Sequence, residues 1–397
     1  MGMWSIEQPD LTPEQRLLLL TGRYCGDEPP PSEEALSLAP TVTNWGNFIR
    51  LANQHGVIAL VHDTIERCGM MSLLPGEAAL TLRKSSLSSL ARNTMIYETL
   101  ATVSSLAAEG GIGFTPVKGV VLERCLYGDR GLRQMSDIDI VTSAGDAMRF
   151  HNLLRGKGYR SLPFKSPIHK MMMMPASKHL PEIDINGIYT EIHFRLFSDK
   201  GNRMTEAMLA GSNPDERCGG MRVPPHGLHF LYLASHLGYH EEKGESQLRL
   251  YNDIALMLRR YGPELSYSAL VGAARTTGTV NAVAHAVAVA DLLYSGCGVT
   301  DWPAPEGDAA ARFLSFLDDP KGVERDSTVA GQSGMTPPPG GMAGRLLFAL
   351  GAIFPSLSWM KRRYGTRSRL TALFYYPVRW VSGLRRVVSG SKGAERR

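Results

Sequence analysis

The stretch EIDINGIYTEIHF, residues 182–194, decides how the rest of the chain is read. Asn186-Gly187 separates two runs of alternating apolar and polar residues, and both central residues of a type I′ turn need the positive φ that Asn and Gly tolerate best. The spacing predicts a two-residue hairpin in which Ile185 faces Ile188, Asp184 faces Tyr189 and Glu182 faces Glu191. Side chains alternate along a strand, so Ile183, Ile185, Ile188, Ile192 and Phe194 share one face. Glu182, Asp184, Tyr189, Glu191 and His193 share the other, a surface of carboxylates and imidazole.

Upstream, SDIDIV at 136–141 sets Asp137 and Asp139 two apart in an apolar run that reads as a buried strand. Carboxylates at i and i+2 of a strand point the same way, and burying either without a partner costs several kcal/mol, so the pair requires a metal, an arginine or water. A third carboxylate from an adjacent strand would complete an oxygen set suited to one or two Mg²⁺ or Mn²⁺ ions; Glu191 is the first choice and Asp184 the alternative. Such ions orient an acceptor hydroxyl and neutralise the charge on departing pyrophosphate, so the chemistry implied is phosphoryl or nucleotidyl transfer. D-x-D by itself is common on surface strands. The preceding Arg133 and the Lys118-Gly119 turn make it more specific here.

Working outward, a compact α/β unit is expected: a strand at 114–118, a helix at about 120–127, a loop at 128–134, a strand at 136–142, a helix at about 144–157, and then the hairpin. Gly110, Gly111 and Gly113 precede a strand, whereas phosphate-cradling glycines follow one, so they read as a helix C-cap. The N-terminal third has helical spacing, with Thr12 as an N-cap and Trp45, Phe48, Leu51, Ile58 and Leu60 as apolar positions. His236 and His240 lie four apart without the glutamate of a zinc-protease motif, which favours a packed or substrate-facing helix. Arg249 and Asp253 are spaced for an i,i+4 pair, and the methionine run at 171–174 reads as an apolar loop or lid.

The 397 residues suffice for two or three domains with a sizeable core. The expected organisation is a helical N-terminal region at 1–110, a catalytic core at 111–215, a helical domain at 216–317, a disordered linker at 318–341 and a basic helical segment and tail at 342–397. The five scattered cysteines show no C-x-x-C pair, which signals neither a disulfide framework nor a zinc knuckle; a reducing cytoplasm is the expected location. No secretory signal opens the sequence, and the apolar stretch at 280–299 reads as a buried helix. The net charge of +5 hides an asymmetry: from Arg345 onward twelve Lys and Arg face the single acid Glu395, leaving thirty-one cations against thirty-seven acids elsewhere. A basic tail of this kind seeks an anionic partner or membrane surface, or is simply solvated.

FTPVKGVVLERCLYGDRGLRQMSDIDIVTS at 114–143, followed by EIHFRL at 191–196, resembles a bacterial nucleotidyltransferase-fold family of largely unassigned function in the polymerase-beta-like superfamily. The resemblance extends over roughly 40–385, including WGNFIRLANQHGVIALV and HFLYLASHLGYHEEKGESQLRLYNDIALML. It implies an α+β fold, a mixed sheet with helices flanked by N-terminal and C-terminal helical regions. It further implies that Asp137, Asp139 and Glu191 hold Mg²⁺ or Mn²⁺ as the catalytic set, with His193 beside them. Lys118 and Gly119 occupy the phosphate-gripping turn, where related proteins carry a small residue in place of lysine, and Arg133 and Ser136 would contact the NTP, for which ATP is the expected choice. The activity implied is metal-dependent transfer of an NMP to a hydroxyl, amine or phosphate acceptor, with a peptide or small molecule favoured over nucleic acid and a role in natural-product biosynthesis. The alternatives are an inactive nucleotide- or partner-binding relative and an RNA-directed transferase that uses the basic tail.

Overall fold

The computed structural model describes residues 11–26, 28–128, 131–294, 301–320 and 342–394, and the side chains within them except those of 175, 176 and 383–394. The expected linker falls outside them apart from Asp318–Pro320, which pack on the body: Gln15 Nε2 donates to Asp318 Oδ1 at 2.8 Å.

Five strands form one mixed sheet: β1 (Phe114–Val117), β2 (Asp137–Thr142), β3 (Arg160–Ser161), β4 (Ile183–Ile185) and β5 (Ile188–His193), in the order β1-β2-β5-β4-β3. The Asn-Gly turn closes as its chemistry dictates, with φ of 54° at Asn186 and 85° at Gly187. Ile185 stands opposite Ile188 and Asp184 opposite Tyr189. β1 is antiparallel to β2, whereas β2 and β5 run parallel, joined by a crossover that includes the helix Ala144–Gly156. This parallel pairing sets Asp139 beside Glu191, Asp137 beside Tyr189 and Val141 beside His193.

One face of the sheet is apolar but for the buried Thr142 and Thr190. Ile138, Ile140, Ile185, Ile188 and Ile192 are sealed against Ile96 and Val103 of the long helix Gly76–Glu109 and Phe150 and Leu154 of Ala144–Gly156. Each such side chain contributes about 1.5–3 kcal/mol on burial, which anchors the register that places the acids on the opposite face.

The N-terminal helices and those after residue 226 share a second core. Leu17, Phe48, Leu51 and Ile58 pack with Phe230, Tyr251, Ile254 and Val289. The helices of residues 13–82 and those of 226–294 and 309–314 thus bury their apolar faces in one common core, because neither set of amphipathic helices can cover its own stripe. Thr12 caps the first helix with a reciprocal capping box to Gln15, and Gly110 ends the long helix, both as the sequence suggests. The methionine run forms helical turns, Pro167–Met171 and Met173–Ala176, rather than the expected loop.

Three further expectations change. Arg133 does not present its guanidinium to a phosphate: it is 5% exposed, with Nε donating to Asp253 Oδ1 at 2.8 Å and Nη2 to Oδ2 at 2.7 Å. Asp253, expected to pair with Arg249, is instead taken by this partner from 120 residues away and by the Tyr127 hydroxyl at 3.0 Å. Arg249 turns to the Gln134 carbonyl and Gln247. The cysteines are not all free: Cys125 and Cys218 form a disulfide, tying the turn Glu123–Tyr127 to the turn Glu216–Cys218, while Cys25 and Cys68 remain thiols. Their separation of 93 residues leaves no local spacing to reveal the bond.

The buried Arg133–Asp253 pair ties the loop before β2 to the helix Leu248–Tyr261. Removing one partner strands the other charge, so Asp253→Ala should destabilise the protein by about 3–5 kcal/mol, and the double variant Arg133→Met/Asp253→Leu should recover most of the loss. Urea denaturation of the variants measures this, and a loss below about 1 kcal/mol in Asp253→Ala would mean that the pair does not anchor the loop.

Candidate active site

The sheet face turned away from the isoleucine core gathers the polar residues. β2 supplies Asp137 and Asp139, and β5 supplies Glu191 and His193. Because Asp139 and Glu191 are direct neighbours in the parallel ladder, their side chains emerge side by side. His193 Nε2 bridges them, 2.8 Å from Asp139 Oδ1 and 3.2 Å from Glu191 Oε2. Ligand atoms of Asp139, Glu191 and His193 all lie within 4.8 Å of one another, a spacing one metal ion can span. Asp137 lies at the outer end of the strand, where its Oδ1 accepts from Ser136 Oγ at 3.0 Å.

Lys118 closes the site. Its Nζ is 2.8 Å from Asp139 Oδ1, the same oxygen that His193 contacts, and 5.8 Å above the Tyr232 ring. The residue adopts φ 55° and ψ −128°, a conformation that costs a side-chain-bearing residue about 1–3 kcal/mol. Two contacts hold it there, the ion pair with Asp139 and a hydrogen bond from Lys118 N to His229 Nε2 at 3.1 Å. Gly119 follows because a Cβ at that position would lie 2.8 Å from Arg133 Nη1; the buried guanidinium passes directly beneath the turn.

Burial opposes every charge in this cluster, and the neighbours decide the outcome. For Lys118 burial favours the neutral amine, but Asp139, with Tyr232, Glu191 and Asp137 adding, holds it protonated well above its usual range. Burial would raise Asp139, yet Lys118 and the bond from His193 keep it below the usual carboxylate range. Glu191 is likewise held low against its burial, first by His193 and then by His179 and Lys118. Asp137 has no comparable partner, and burial together with repulsion from Asp139 pushes it upward. His193 is raised against its burial by its bonds to Asp139 and Glu191.

Tyr232 and His179, not singled out from the sequence, belong here with His229, His236 and Glu182. His229 and Tyr232 come from the helix His226–Glu242, where, together with His236, they occur at i, i+3 and i+7 and so share one face. That spacing is a signal that could have found them. His236 is held neutral by burial and by the Lys118 charge. His179 bridges to His193 with ring centroids 5.3 Å apart, and Glu182 sits close enough to Glu191 and Asp137 that burial and repulsion from them raise its pKa to about 7. Asp184, the alternative third carboxylate, instead accepts from Gly187 N at 2.9 Å and stabilises its own turn.

The residues gathered are therefore Lys118, Asp137, Asp139, Glu191 and His193, with Ser136 at the rim. Three carboxylates face the Lys118 ammonium and the shared His193 ring, and Asp137 is the least compensated of the three. Asp139, Glu191 and His193 form a group that fits a divalent cation, with Asp137 two residues before Asp139 on the same face.

Residues 41–295 match a family described as an uncharacterised nucleotidyltransferase. No curated protein and no solved structure matches the chain.

The raised Glu182 carboxyl generates a prediction for metal-free protein. With a folded pKa of about 7 above the ordinary 4.5, ionisation costs stability above pH 7, progressively less down to about pH 4.5, and nothing below it. Glu182→Gln should therefore stabilise the protein by about 1 kcal/mol at pH 8, after discounting for its partial exposure, and by nothing resolvable at pH 4. Denaturant melts at the two pH values in EDTA test this, and an equal effect at both would mean that Glu182 does not feel the other carboxylates.

Proposed function

Since the chain belongs to this nucleotidyltransferase family, we propose that it moves an NMP from an NTP to an acceptor hydroxyl, amine or phosphate, releasing pyrophosphate, with Asp137, Asp139 and Glu191 as its metal-binding carboxylates. The observation that carries this reading is the parallel register that sets Asp139 against Glu191, with Asp137 two residues before it on the same face. Mg²⁺ or Mn²⁺ bound there would supply charge neutralisation at the triphosphate and a lowered pKa for the acceptor hydroxyl.

The chain's own residues have separable tasks. The Lys118 ammonium, held protonated, presents fixed positive charge to an incoming phosphate. His193 orients Asp139 and Glu191 by bonding to both. The strained backbone at Lys118, fastened by His229, fixes the point from which the ammonium reaches the carboxylates. A peptide or small-molecule acceptor and ATP as donor remain the favoured substrates.

A second reading rests on one contact. Lys118 Nζ already lies 2.8 Å from Asp139 Oδ1, where related proteins have a small residue, so an ammonium partly balances the acids without a metal. In a protein that only binds nucleotide, this pair would take the place of the ion.

Two measurements separate the readings. Saturating Mn²⁺, at about a hundred times its Kd, should stabilise the protein by about 2.7 kcal/mol in thermal melts, and Asp139→Asn should abolish the shift. With α-labelled NTPs and candidate acceptors, Asp137→Asn, Asp139→Asn and Glu191→Gln should each lower label transfer by about a hundredfold or more. Nucleotide binding without metal-dependent stabilisation, or equal transfer by wild type and Asp139→Asn, would overturn the enzymatic reading.

A further inference from the structure

The helices Met342–Ile353, Leu357–Arg363 and Arg369–Ala394 dock on the body through a small contact. Ser356 donates from its N to the Lys165 carbonyl at 2.6 Å and from its Oγ to Phe164 O at 3.0 Å, and the Phe348 ring lies tilted against His169 with centroids 4.8 Å apart. Trp359, Met360 and Ala372 form a local core that holds the helices together.

Their outer side is apolar. Among the described residues, twelve of the twenty exposed large hydrophobic side chains belong to 342–381. They recur at helical spacing: Met342, Leu346 and Leu350 along the first helix, Leu370, Phe374 and Val378 along the last, with Phe374 78% and Leu370 71% exposed. A stripe of this size on each of two helices marks an interaction surface. The same segment is strongly basic, with Arg345, Lys361, Arg362, Arg367 and Arg369 among its seven cations and no acid.

The two properties together select the partner. A nucleic acid would satisfy the cations but would not bury leucine and phenylalanine, and the same segment of a second copy would bring another +7 against the first. An anionic bilayer surface satisfies both, taking the apolar stripe into the acyl boundary and the cations at its headgroups. Among the described residues no single helix is long and apolar enough to cross a membrane; Met342–Ile353 and Leu357–Arg363 have the length and apolar composition of a span only as a pair broken by a 55° bend, and the exposed Arg362, Arg367 and Arg369 favour the surface over a crossing.

We propose that residues 342–381 form an interfacial docking element for anionic lipid bilayers. Its position also bears on the candidate site, because Arg362 is near enough to Glu182 to offset the rise in that carboxyl's pKa.

The test is co-flotation of the full chain with vesicles of phosphatidylcholine alone and of phosphatidylcholine with one third phosphatidylglycerol. Binding to the anionic vesicles should exceed that to neutral ones by about tenfold or more and should weaken with salt. Leu370→Asp/Phe374→Asp should lower it at least about tenfold. Arg367→Ala/Arg369→Ala should lower it about fivefold per arginine. Leu36→Asp, at an exposed apolar position on the body, should bind like wild type, and circular dichroism checks that each variant is folded. The proposal is overturned by no flotation, by equal binding to both vesicles, or by binding indifferent to the stripe substitutions. Capture of labelled RNA without vesicle binding, or a stable dimer dissolved by Leu370→Asp/Phe374→Asp, would overturn it in favour of those partners.

Discussion

The interaction on which the rest of the structure depends is the meeting of Lys118 and His193 on one oxygen of Asp139, at 2.8 Å each. Three carboxylates stand on one sheet face because strand register puts them there, and their repulsion must be offset for the face to be buried at all. Lys118 contributes the offset at the expense of its own backbone conformation, and His193 contributes by bridging two acids. The apolar burial of five isoleucines on the opposite face holds the strands in the register this repulsion would otherwise disturb.

A second buried ion pair lies directly underneath. Arg133 and Asp253 share no oxygen with the carboxylate cluster, yet the guanidinium passes within the space that a Cβ at position 119 would need. Glu123 clamps the same loop, accepting from Gly131 N at 2.7 Å and Arg133 N at 2.8 Å. One charge network thus builds the turn, and the other, one residue away at Lys118, faces the site. The helix His226–Glu242 serves the second through His229 and Tyr232 and joins the common core through Phe230 and Leu231.

Local chemistry was legible wherever the responsible residues are close in sequence. The Asn-Gly turn and its register, the Thr12 capping box, the glycine end of the long helix and the shared face of Asp137 and Asp139 all follow from spacings of a few residues. Arg133 shows where such inference fails. An arginine four residues before D-x-D is correctly placed for a phosphate in sequence, but its bidentate partner is 120 residues downstream and buried. Arg249 and Asp253 are correctly spaced for a helical pair, yet the more buried arginine takes the carboxylate. The Cys125–Cys218 bond, spanning 93 residues, was invisible for the same reason.

The sequence by itself determined the hairpin, the polarity of its two faces, the two-residue spacing of the strand acids and the concentration of positive charge after Arg345, since each depends on backbone alternation, turn stereochemistry or counting. Only the tertiary structure decided that Glu191 rather than Asp184 stands beside Asp139, that Lys118 and His193 converge on one oxygen, and that Arg133 is spent on Asp253. Those outcomes depend on the parallel pairing of β2 with β5 and on helices returning from more than a hundred residues away, contacts set by the burial of whole apolar faces, which no local spacing encodes.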